Sequence, residues 1–467
     1  MSPNKTITLL DGVKVCVPNS LHLISSYVLE EQLDWFEDEI KFIRKIIHSG
    51  NHVIDIGANY GVYTLSIAKL IGSTGKVYSF EPAKKTAETL LKSIEINGLK
   101  NIVVEKKGLS KEIGVATLSL NDNSELNSLV KNIVSIGPSE LVEITTLDEC
   151  MKLFNWDKID FIKIDAEGEE ENIIQGGLDF FKIKSPLVMF EIKAGDQVNL
   201  NLVRQFELLG YRVFKLIPGL DILAPWRSNE IADGYLLNLF CCKSDRAKLL
   251  YDQGFLIFNE NDESEISPQI NISLEKIESE LLFDNHQLFK FPYAKQFHLN
   301  WKDNLSQFNP LLIRSLTLYH RSKTAKSANE KYQCLMQAFY SMDSLCKSDA
   351  GCLRLSTFAR IATELGNRSA AVNALDILIK NILNTKTIEI GEPFLLPSDD
   401  HEMIDPKDQT VNFVWSSLLT SLEKIQFFSS FYAGNTSLDR LNAIIGTGFF
   451  NDEICRRRDL VNKRYNS

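Results

Sequence analysis

A run of carboxylates follows an apolar stretch in the segment FIKIDAEGEE, residues 161–170. The apolar stretch is typical of a buried strand, so we expect Asp165 and Glu167 at its carboxyl end, facing a cleft. Glu169 and Glu170 are predicted in the first turn of the next helix, where a carboxylate favours the helix dipole. A carboxylate at the position of Asp165 could accept a hydrogen bond from a bound molecule, hold a cation or act as a general base.

A further carboxylate, Glu191, ends the predicted strand 187–192 and is expected at the same edge of the sheet. The candidates for a base or a ligand are therefore, in order, Asp165, Glu191 and Glu167, because no histidine occurs within a motif. Lys163 lies two positions before Asp165 and shares its sheet face. We interpret Lys163 as a buried partner for a carboxylate rather than as a substrate contact.

The segment VIDIGANYG, residues 53–61, predicts a buried strand, a glycine turn and the start of a helix. Gly57 would permit a tight turn and a close approach of the backbone to a ligand, and Gly61 would let the helix pack closely on the strand. The spacing Gly-x-x-x-Gly differs from the Gly-x-Gly-x-x-Gly pattern of dinucleotide-binding sites. This difference disfavours an NAD(P)-dependent oxidoreductase, for which the chain also lacks an evident Tyr/Lys or Cys/His set.

The segment VYSFEP, residues 77–82, ends a second predicted strand with Glu81, 26 positions after Asp55. A carboxylate at this position can accept hydrogen bonds from both hydroxyls of a ribose. The chain contains no Gly-Lys-Ser/Thr phosphate loop. The two motifs together therefore predict a nucleoside pocket rather than a phosphate pocket.

Apolar strands alternate with helices from residue 52 onwards, which is typical of a largely parallel sheet covered on both faces. The predicted strands are 52–56, 76–80, 101–105, 159–164, 187–192, 211–215 and 235–241. The predicted helices between them include 63–71, 84–97, 169–176 and 200–210. We therefore predict a doubly wound α/β fold with a mostly parallel, seven-stranded sheet, followed by an all-α C-terminal domain.

The remaining segments divide the chain into four predicted parts: 1–50, 51–245, 246–310 and 311–467. Residues 1–25 predict short strands with a turn at Asp11-Gly12, and residues 28–47 predict one amphipathic helix. Two short strands, 115–120 and 141–146, surround the polar stretch NDNSELNS, which we interpret as a loop over the active site.

The C-terminal region changes in character. Residues 246–310 read as a linker that contains the acidic stretch NENDESE, and residues 386–410 as an extended connector with three prolines. The segment 353–378 resembles one tetratricopeptide repeat, with small residues between large apolar ones and Gly366 at the turn. Because only one good copy is present, a plain helical bundle and a repeat array both remain open.

The composition excludes several classes of protein. The net charge of −10 disfavours a nucleic-acid partner, and the short basic run 456–458 reads as a solvated helix face. The eight cysteines lack metal-ligand spacing and are interpreted as reduced thiols, and no apolar stretch predicts a signal peptide or a membrane span. We therefore expect a cytoplasmic protein of several domains.

Residues from about 50 to 243 resemble the FkbM family of S-adenosylmethionine (AdoMet)-dependent methyltransferases. The segments that carry the resemblance, in order, are VIDIGANYGVYTLSIA, VYSFEP, NGLKNIVV, TTLDE, FIKIDAEGEEENIIQGG and SPLVMFEIK. The resemblance implies a class I methyltransferase sheet of the Rossmann-like type, with AdoMet as co-substrate and methyl transfer usually to a hydroxyl. It also implies an acceptor such as a sugar of a bacterial surface glycan or a polyketide-like secondary metabolite.

The resemblance further implies which residues bind the methyl donor. Asn59 stands where the wider class often has a second glycine, which suits this family. Glu81, with Pro82 beside it, would bind the ribose, and Gly108, Leu109 and Ser110 would lie by the adenine. The residues implied on the methionine side are Asp55, Gly57, Ala58, Asn59 and Tyr60, and Asp165 would reach the catalytic end. A divalent metal ion is compatible with this site but not implied.

Two functions arise as hypotheses. The first is an O-methyltransferase whose helical C-terminal domain holds a long acceptor or a partner protein. The alternative is a scaffold, in which the helical domain binds partners and the methyltransferase unit is vestigial. Because Asp55, Gly57, Glu81 and Asp165 are all present, the first hypothesis is favoured.

Overall fold

The chain divides into two compact units. A computed structural model describes residues 4–121, 123–124, 127–129, 138–194, 197–227, 230–257, 287–351 and 353–465. The first unit comprises residues 1–216, 225–230 and 236–255, and the second comprises 217–224, 231–235 and 256–467. Residues 258–286 of the predicted linker, which include the acidic stretch 259–265, lie outside the described residues.

The strands are β1 (Asn4–Thr8), β2 (Lys14–Pro18), β3 (His52–Ile56), β4 (Lys76–Phe80), β5 (Ile102–Glu105), β6 (Gly108–Leu109), β7 (Gly114–Ser119), β8 (Ser128–Leu129), β9 (Ser139–Thr145), β10 (Phe161–Ile164), β11 (Leu187–Glu191), β12 (Lys193–Ala194), β13 (Gln197–Val198), β14 (Arg212–Ile217), β15 (Ile222–Pro225) and β16 (Asn238–Cys242). The helices of the first unit are α1 (Ile24–Gln32), α2 (Asp38–Ile46), α3 (Val62–Ile71), α4 (Lys84–Asn97), α5 (Leu147–Leu153), α6 (Glu170–Gln175), α7 (Leu178–Lys184), α8 (Asn201–Leu208) and α9 (Ser244–Asp252).

The main sheet has the strand order β15-β14-β16-β11-β10-β3-β4-β5. The five strands from β11 to β5 are parallel, and β16 is antiparallel to both β11 and β14. This confirms the predicted doubly wound, mostly parallel sheet. Among the described residues the sheet has eight strands rather than seven, because the short run ILAP forms β15, which is too brief to be predicted from its apolar pattern.

The register of the parallel strands brings their carboxyl ends to one edge of the sheet. Lys163 pairs with Asp55, and Asp55 pairs with Ser79, so these side chains lie on one face of adjacent strands. Fully buried residues such as Ile54, Ile162 and Phe190 form the apolar core around these strands. The core thus holds β3, β4, β10 and β11 in fixed register, and a site at their ends inherits this rigidity.

The N-terminal residues form the predicted hairpin but not the predicted helix. β1 and β2 pair antiparallel around Gly12, whose φ is 79°. The single helix predicted over 28–47 is wrong, because the chain forms α1 and α2 instead. Leu33 ends α1 in the left-handed conformation, with φ 56°. Asp34 then accepts from its neighbour's N–H at 2.8 Å and pairs with Arg44 at 2.6 Å, and these contacts compete with helical hydrogen bonds.

The strands predicted between residues 113 and 147 form a separate sheet in the order β6-β9-β7-β8. Residues 122, 125 and 126 of the predicted polar loop 121–128 lie outside the described residues. In its described part, the Ser124 hydroxyl donates to Asn59 Oδ1 at 2.9 Å. The loop therefore reaches the turn that connects β3 to α3.

The second unit is helical. Its described helices are α10 (Pro292–Lys295), α11 (His298–Asp303), α12 (Pro310–Thr324), α13 (Ala328–Ser348), α14 (Arg354–Leu365), α15 (Arg368–Thr385), α16 (Thr410–Gln426), α17 (Ser430–Ala433), α18 (Leu438–Gly446) and α19 (Asp452–Tyr465). The turn between α14 and α15 occurs at Gly366, with φ 84°, as the sequence predicts. Ala359 and Ala371 are fully buried. The likeness to a tetratricopeptide repeat stays a prediction.

The basic run 456–458 is not a solvated helix face, because Arg457 is 1% exposed. Its guanidinium donates to Glu453 at 3.0 Å and to the carbonyl oxygen of Glu423 at 3.2 Å. The Glu423 side chain is itself fully buried and pairs with Arg440. This burial could not be predicted from the sequence, since the one-turn spacing of Glu453 and Arg457 also occurs on the exposed surface of helices.

We expect the Arg457→Met variant to lose about 3–5 kcal/mol of unfolding free energy, because Glu423 keeps its charge in a buried place with one cation fewer. Urea unfolding measures the loss. The matched control is Arg458→Met, whose side chain is 32% exposed beside Asp459 and should cost less than about 1 kcal/mol. Equal losses in the two variants would show that the buried network does not stabilise the helical unit.

None of the described helices combines the length and the apolar composition needed to cross a membrane.

Candidate functional site

The loop between β3 and α3 makes the tight turn that its glycines predict. Gly57, Asn59 and Gly61 all have positive φ, of 75°, 48° and 91°. A Cβ atom on Gly57 would lie 1.8 Å from the carbonyl oxygen of Asp165. The close approach that requires Gly57 is therefore to the backbone after β10, and it joins the two predicted motifs into one site.

Gly61 allows close packing of helices, since a Cβ atom there would lie 2.3 Å from Leu90 of α4. Its neighbour Tyr60 packs in the apolar cluster of the N-terminal hairpin, together with Val13 and Val15. Ala58 is also buried, at 5% exposure. The side chains of Ala58 and Tyr60 thus belong to the core, and the backbone of this loop and the partly buried side chain of Asn59 remain to line a site at the end of β3.

Glu81 is anchored by the same loop. Its Oε2 atom accepts from the N–H of Asn59 and its Oε1 atom from the N–H of Ala83, both at 2.9 Å. Burial raises the pKa of this carboxyl to about 7, although the two backbone N–H groups lower it. Pro82 is next in the chain and is partly buried. Each Glu81 oxygen has one backbone donor and a further lone pair to offer to a ligand.

Asp55 is 1% exposed. Its Oδ2 atom accepts from the Thr64 hydroxyl at 2.6 Å, while Oδ1 has no hydrogen-bond donor and lies 3.9 Å from Nζ of Lys163. Burial raises the pKa of Asp55, and Lys163 and Thr64 lower it. Oδ1 is thus a buried acceptor whose hydrogen-bonding capacity is not used within the described residues.

Lys163 pairs with a carboxylate, as its position in the sequence predicts. Its ammonium group lies 2.7 Å from Oδ2 of Asp165, and the residue is 4% exposed. Burial lowers the pKa of Lys163, but the charges of Asp165 and Asp55 outweigh this effect and raise it. Lys163 therefore stays charged and holds Asp165, whose side chain is 34% exposed, at the sheet edge.

The three predicted catalytic carboxylates converge. One oxygen each from Asp165, Glu167 and Glu191 lies within 4.8 Å of the others. Glu167 reaches this position from a backbone with φ 47°. Burial, together with the charges of Asp165 and Glu167, raises the pKa of Glu191 to about 11. Carboxylates at this spacing can share a proton or a cation.

Glu170 lies in the first turn of α6, as predicted, whereas Glu169 directly precedes this helix. Glu170 accepts from the N–H groups of Ala166 and Gly168 at 3.0 Å. Glu169 accepts from the Ser110 hydroxyl at 2.9 Å. Ser110 is 6% exposed and follows Leu109 of β6, which is 2% exposed. The segment 108–110 is thereby tied to the loop that carries Asp165.

Two residues at this site were not anticipated from the sequence. The Tyr63 hydroxyl donates to Oε2 of Glu37 at 2.6 Å, and Nζ of Lys163 lies 5.3 Å from the centre of the Tyr63 ring. Tyr63 is the second residue of α3, and Glu37 directly precedes α2. The one available signal was a tyrosine at the second position of a predominantly apolar helix, and nothing in the sequence linked it to Glu37.

The family comparison agrees with this geometry. Residues 55–213 match the family model described as "Methyltransferase FkbM domain", over about a third of the chain. The matched segment begins at Asp55 and includes Glu81, Asp165 and Glu191.

Curated relatives match a shorter segment. The catalytic subunit TRM61 of the tRNA (adenine(58)-N(1))-methyltransferase of Cryptococcus neoformans is 35% identical over 66 residues, in two strains. This match covers 14% of the chain and spans 15% of the length of those relatives.

Among solved structures, the methyltransferase FkbM of Methylobacillus flagellatus is 15% identical, covers 47% of this chain and 50% of its own, and has a TM-score of 0.31. SMU.1697c of Streptococcus mutans, a putative methyltransferase solved with SAH, is 11% identical, covers 44% and 95%, and has a TM-score of 0.27. Both structural likenesses are weak, and the assignment depends on the family model, together with the strand order and the motifs at the sheet edge. Residues 55–213 are therefore a methyltransferase FkbM domain, of the AdoMet-dependent class.

Proposed function

We propose that this protein transfers the methyl group of AdoMet to a hydroxyl group, with a sugar of a surface glycan or a secondary metabolite as the acceptor. One observation carries the proposal: the glycine loop after β3 touches the backbone of Asp165, next to Glu167 and Glu191. A donor pocket and a group of candidate bases thus share one edge of the sheet. The helical second unit is the proposed place for a partner protein or a long acceptor.

The residues present fit the methyl donor. Each Glu81 oxygen keeps a lone pair for a ribose hydroxyl. Asn59 and Ala83 hold this carboxylate in place, so little conformational entropy is lost when the nucleoside binds. The unused oxygen of Asp55 and the surrounding carboxylates give the site an excess of negative charge, which suits the positive sulfonium and ammonium groups of AdoMet.

The acceptor side supplies a base. In the proposed reaction the hydroxyl oxygen forms a bond to the methyl carbon, the carbon–sulfur bond breaks, and its electron pair stays on sulfur. The hydroxyl proton passes to a carboxylate, since the pKa of a sugar hydroxyl is high and its anion is scarce in water. Asp165 is our first candidate because its carboxylate is the more exposed member of the ion pair with Lys163.

Glu191 and Glu167 are the second and third candidates. With its pKa raised to about 11, Glu191 holds a proton at neutral pH in the ligand-free protein. It becomes available as a base only when bound positive charge lowers that pKa. Glu167 lies within 4.8 Å of both other carboxylates and could orient the acceptor.

A transfer assay tests the proposal. The protein is incubated with AdoMet that carries a labelled methyl group and with a panel of glycans and hydroxyl-bearing metabolites, with and without a chelator. We expect label in an ether linkage on at least one acceptor. Loss of transfer with the chelator, restored by Mg²⁺ or Mn²⁺, would add a metal ion at the three carboxylates.

Other outcomes would overturn the proposal. Transfer to an amine or to transfer RNA, with none to any hydroxyl, would contradict O-methylation. Failure to bind AdoMet in calorimetry would favour the scaffold hypothesis, in which the methyltransferase unit is vestigial.

Donor affinity should depend on pH through Glu81. The ionised carboxylate is the better acceptor for two ribose hydroxyls, so the ligand-bound state holds fewer protons and affinity rises with pH. We expect the affinity for S-adenosylhomocysteine to fall as the pH is lowered through about 7, by up to about tenfold per pH unit. Calorimetry from pH 6 to 8 measures this change in affinity.

Two variants separate this effect from other titrations. Glu81→Gln should bind with a flat pH profile over this range. Glu81→Ala should weaken binding by about 1–3 kcal/mol at pH 8, whereas the exposed Glu88→Ala on α4 should not. The same linkage applies to folding. Because the pKa of Glu81 is higher in the folded protein, the contribution of its protonated carboxyl to the folding stability of the ligand-free protein is lost as the pH rises from 4.5 through about 7. A Glu81→Gln variant with the wild-type pH profile would contradict the assignment.

A further inference from the structure

Lys163 is held from two sides. On one side its ammonium group contacts Asp165 at 2.7 Å and approaches Asp55 at 3.9 Å. On the other side it lies 5.3 Å from the centre of the Tyr63 ring, a separation at which a cation is attracted to the face of an aromatic ring. The position of Lys163 therefore depends on where the Tyr63 ring stands.

The ring of Tyr63 is fixed by its hydroxyl. Tyr63 is 5% exposed, and its O–H donates to Glu37 at 2.6 Å, the length of a charge-assisted hydrogen bond. Helix α3 fixes the backbone end of this side chain and Glu37 fixes the other end. A ring held at both ends has little freedom to turn away from Lys163.

Glu37 has no role in its own helix that would account for this contact. It precedes α2 with an extended backbone, and its side chain makes no capping hydrogen bond. Burial and the charge of Asp165 raise the pKa of Glu37, and the Tyr63 hydroxyl, the charge of Lys163 and a hydrogen bond from Trp35 lower it. Placing a carboxylate here costs free energy, and Tyr63 and Lys163 are among the groups that offset this cost.

We propose that Glu37 is a positioning residue of the active site: it fixes Tyr63, which with Asp55 holds Lys163 against Asp165. The N-terminal segment that carries Glu37 lies outside the residues 55–213 that match the family. The site is thus completed by a part of the chain that the family match does not cover. This inference builds on the proposed function in so far as Asp165 acts in methyl transfer.

Three single variants and one double variant test it. Glu37→Ala and Tyr63→Phe should each lower kcat about 10- to 100-fold, because a displaced carboxylate no longer meets the acceptor. The two losses should not add in the double variant, since both break the same contact. Glu37→Gln should recover most of the activity, because its amide oxygen still accepts from Tyr63. The affinity for S-adenosylhomocysteine should stay within about threefold of wild type, because Glu37 does not touch Asn59 or Glu81.

A control and a readout without catalysis complete the experiment. Tyr211→Phe removes another buried hydroxyl of the first unit, which donates to the carbonyl oxygen of Phe181 at 3.0 Å, and should lower stability without lowering kcat. Crystal structures of wild type and Glu37→Ala should show the Lys163–Asp165 contact lengthened in the variant.

The possible failures are distinguishable. If wild type binds S-adenosylhomocysteine but methylates nothing, the proposed function fails, and the crystallographic comparison still decides the role of Glu37. If wild type is active and Glu37→Ala keeps its kcat, or the contact is unchanged in the variant, the positioning role is wrong. Equal losses in Glu37→Ala and Glu37→Gln would also overturn it.

Discussion

Replacement of Gly57 by alanine is expected to destabilise the first unit by about 2–6 kcal/mol, the sum of about 1–3 kcal/mol for backbone strain and about 1–3 kcal/mol for overpacking. The strain arises because φ is 75° at this position. The overpacking arises because the new Cβ atom would lie 1.8 Å from the carbonyl oxygen of Asp165. That oxygen belongs to the backbone and cannot rotate away, so the loop or the end of β10 has to move.

Gly98→Ala is the matched control. Gly98 also has a positive φ, of 63°, but an added Cβ atom would meet nothing within 4 Å. It should therefore show the conformational cost alone, about 1–2 kcal/mol. Urea unfolding gives both free energies, and calorimetry with S-adenosylhomocysteine should show a loss of affinity for Gly57→Ala alone. Equal destabilisation in the two variants would mean that the close approach to Asp165 is not a constraint.

Replacement of Asp165 by asparagine is expected to lower kcat by about 10²–10⁴, the usual contribution of a general base. Asparagine keeps the shape and the hydrogen bond from Lys163 but cannot take the proton of the acceptor. The affinity for AdoMet should change less than kcat, because Glu81 and the glycine loop hold the nucleoside. Steady-state kinetics with the acceptor found by the transfer assay, together with donor binding by calorimetry, measure both quantities.

The neighbouring carboxylates supply the controls for this experiment. Glu167→Gln should retain more activity than Asp165→Asn, since we rank Glu167 as the weakest candidate. If Glu191→Gln causes the largest loss, the ranking is wrong and Glu191 is the base. If Asp165→Asn loses donor affinity and kcat to the same degree, Asp165 is a binding residue.

The strands and the acids at their ends could be predicted because each depends on a short stretch of sequence. β3 and β4 match their predicted bounds, since a strand covered on both faces reads as an apolar run that ends at a polar residue. The parallel arrangement then brings these ends to one edge, and so Asp55, Asp165 and Glu191 could be grouped before their distances were known.

The contacts between these strands could not be predicted. The distance between Gly57 and Asp165, and the approach of Lys163 to Asp55, depend on the register between β3 and β10. Glu37 falls within the single helix predicted over 28–47, but the left-handed turn at Leu33 ends the helix early. A periodic pattern does not show where a side chain such as Asp34 will compete with the helix for hydrogen bonds.

The amino-acid sequence by itself determined the sheet, the glycine loop, Glu81 and the group of candidate bases, because these features depend on local apolar patterns and on residue types at strand ends. Only the tertiary structure decided that Glu37 and Tyr63 approach Lys163, that Tyr60 belongs to the core and that Arg457 is buried. Such contacts join segments far apart in the chain, and the cost of burying a charge is set by the groups that meet it after folding.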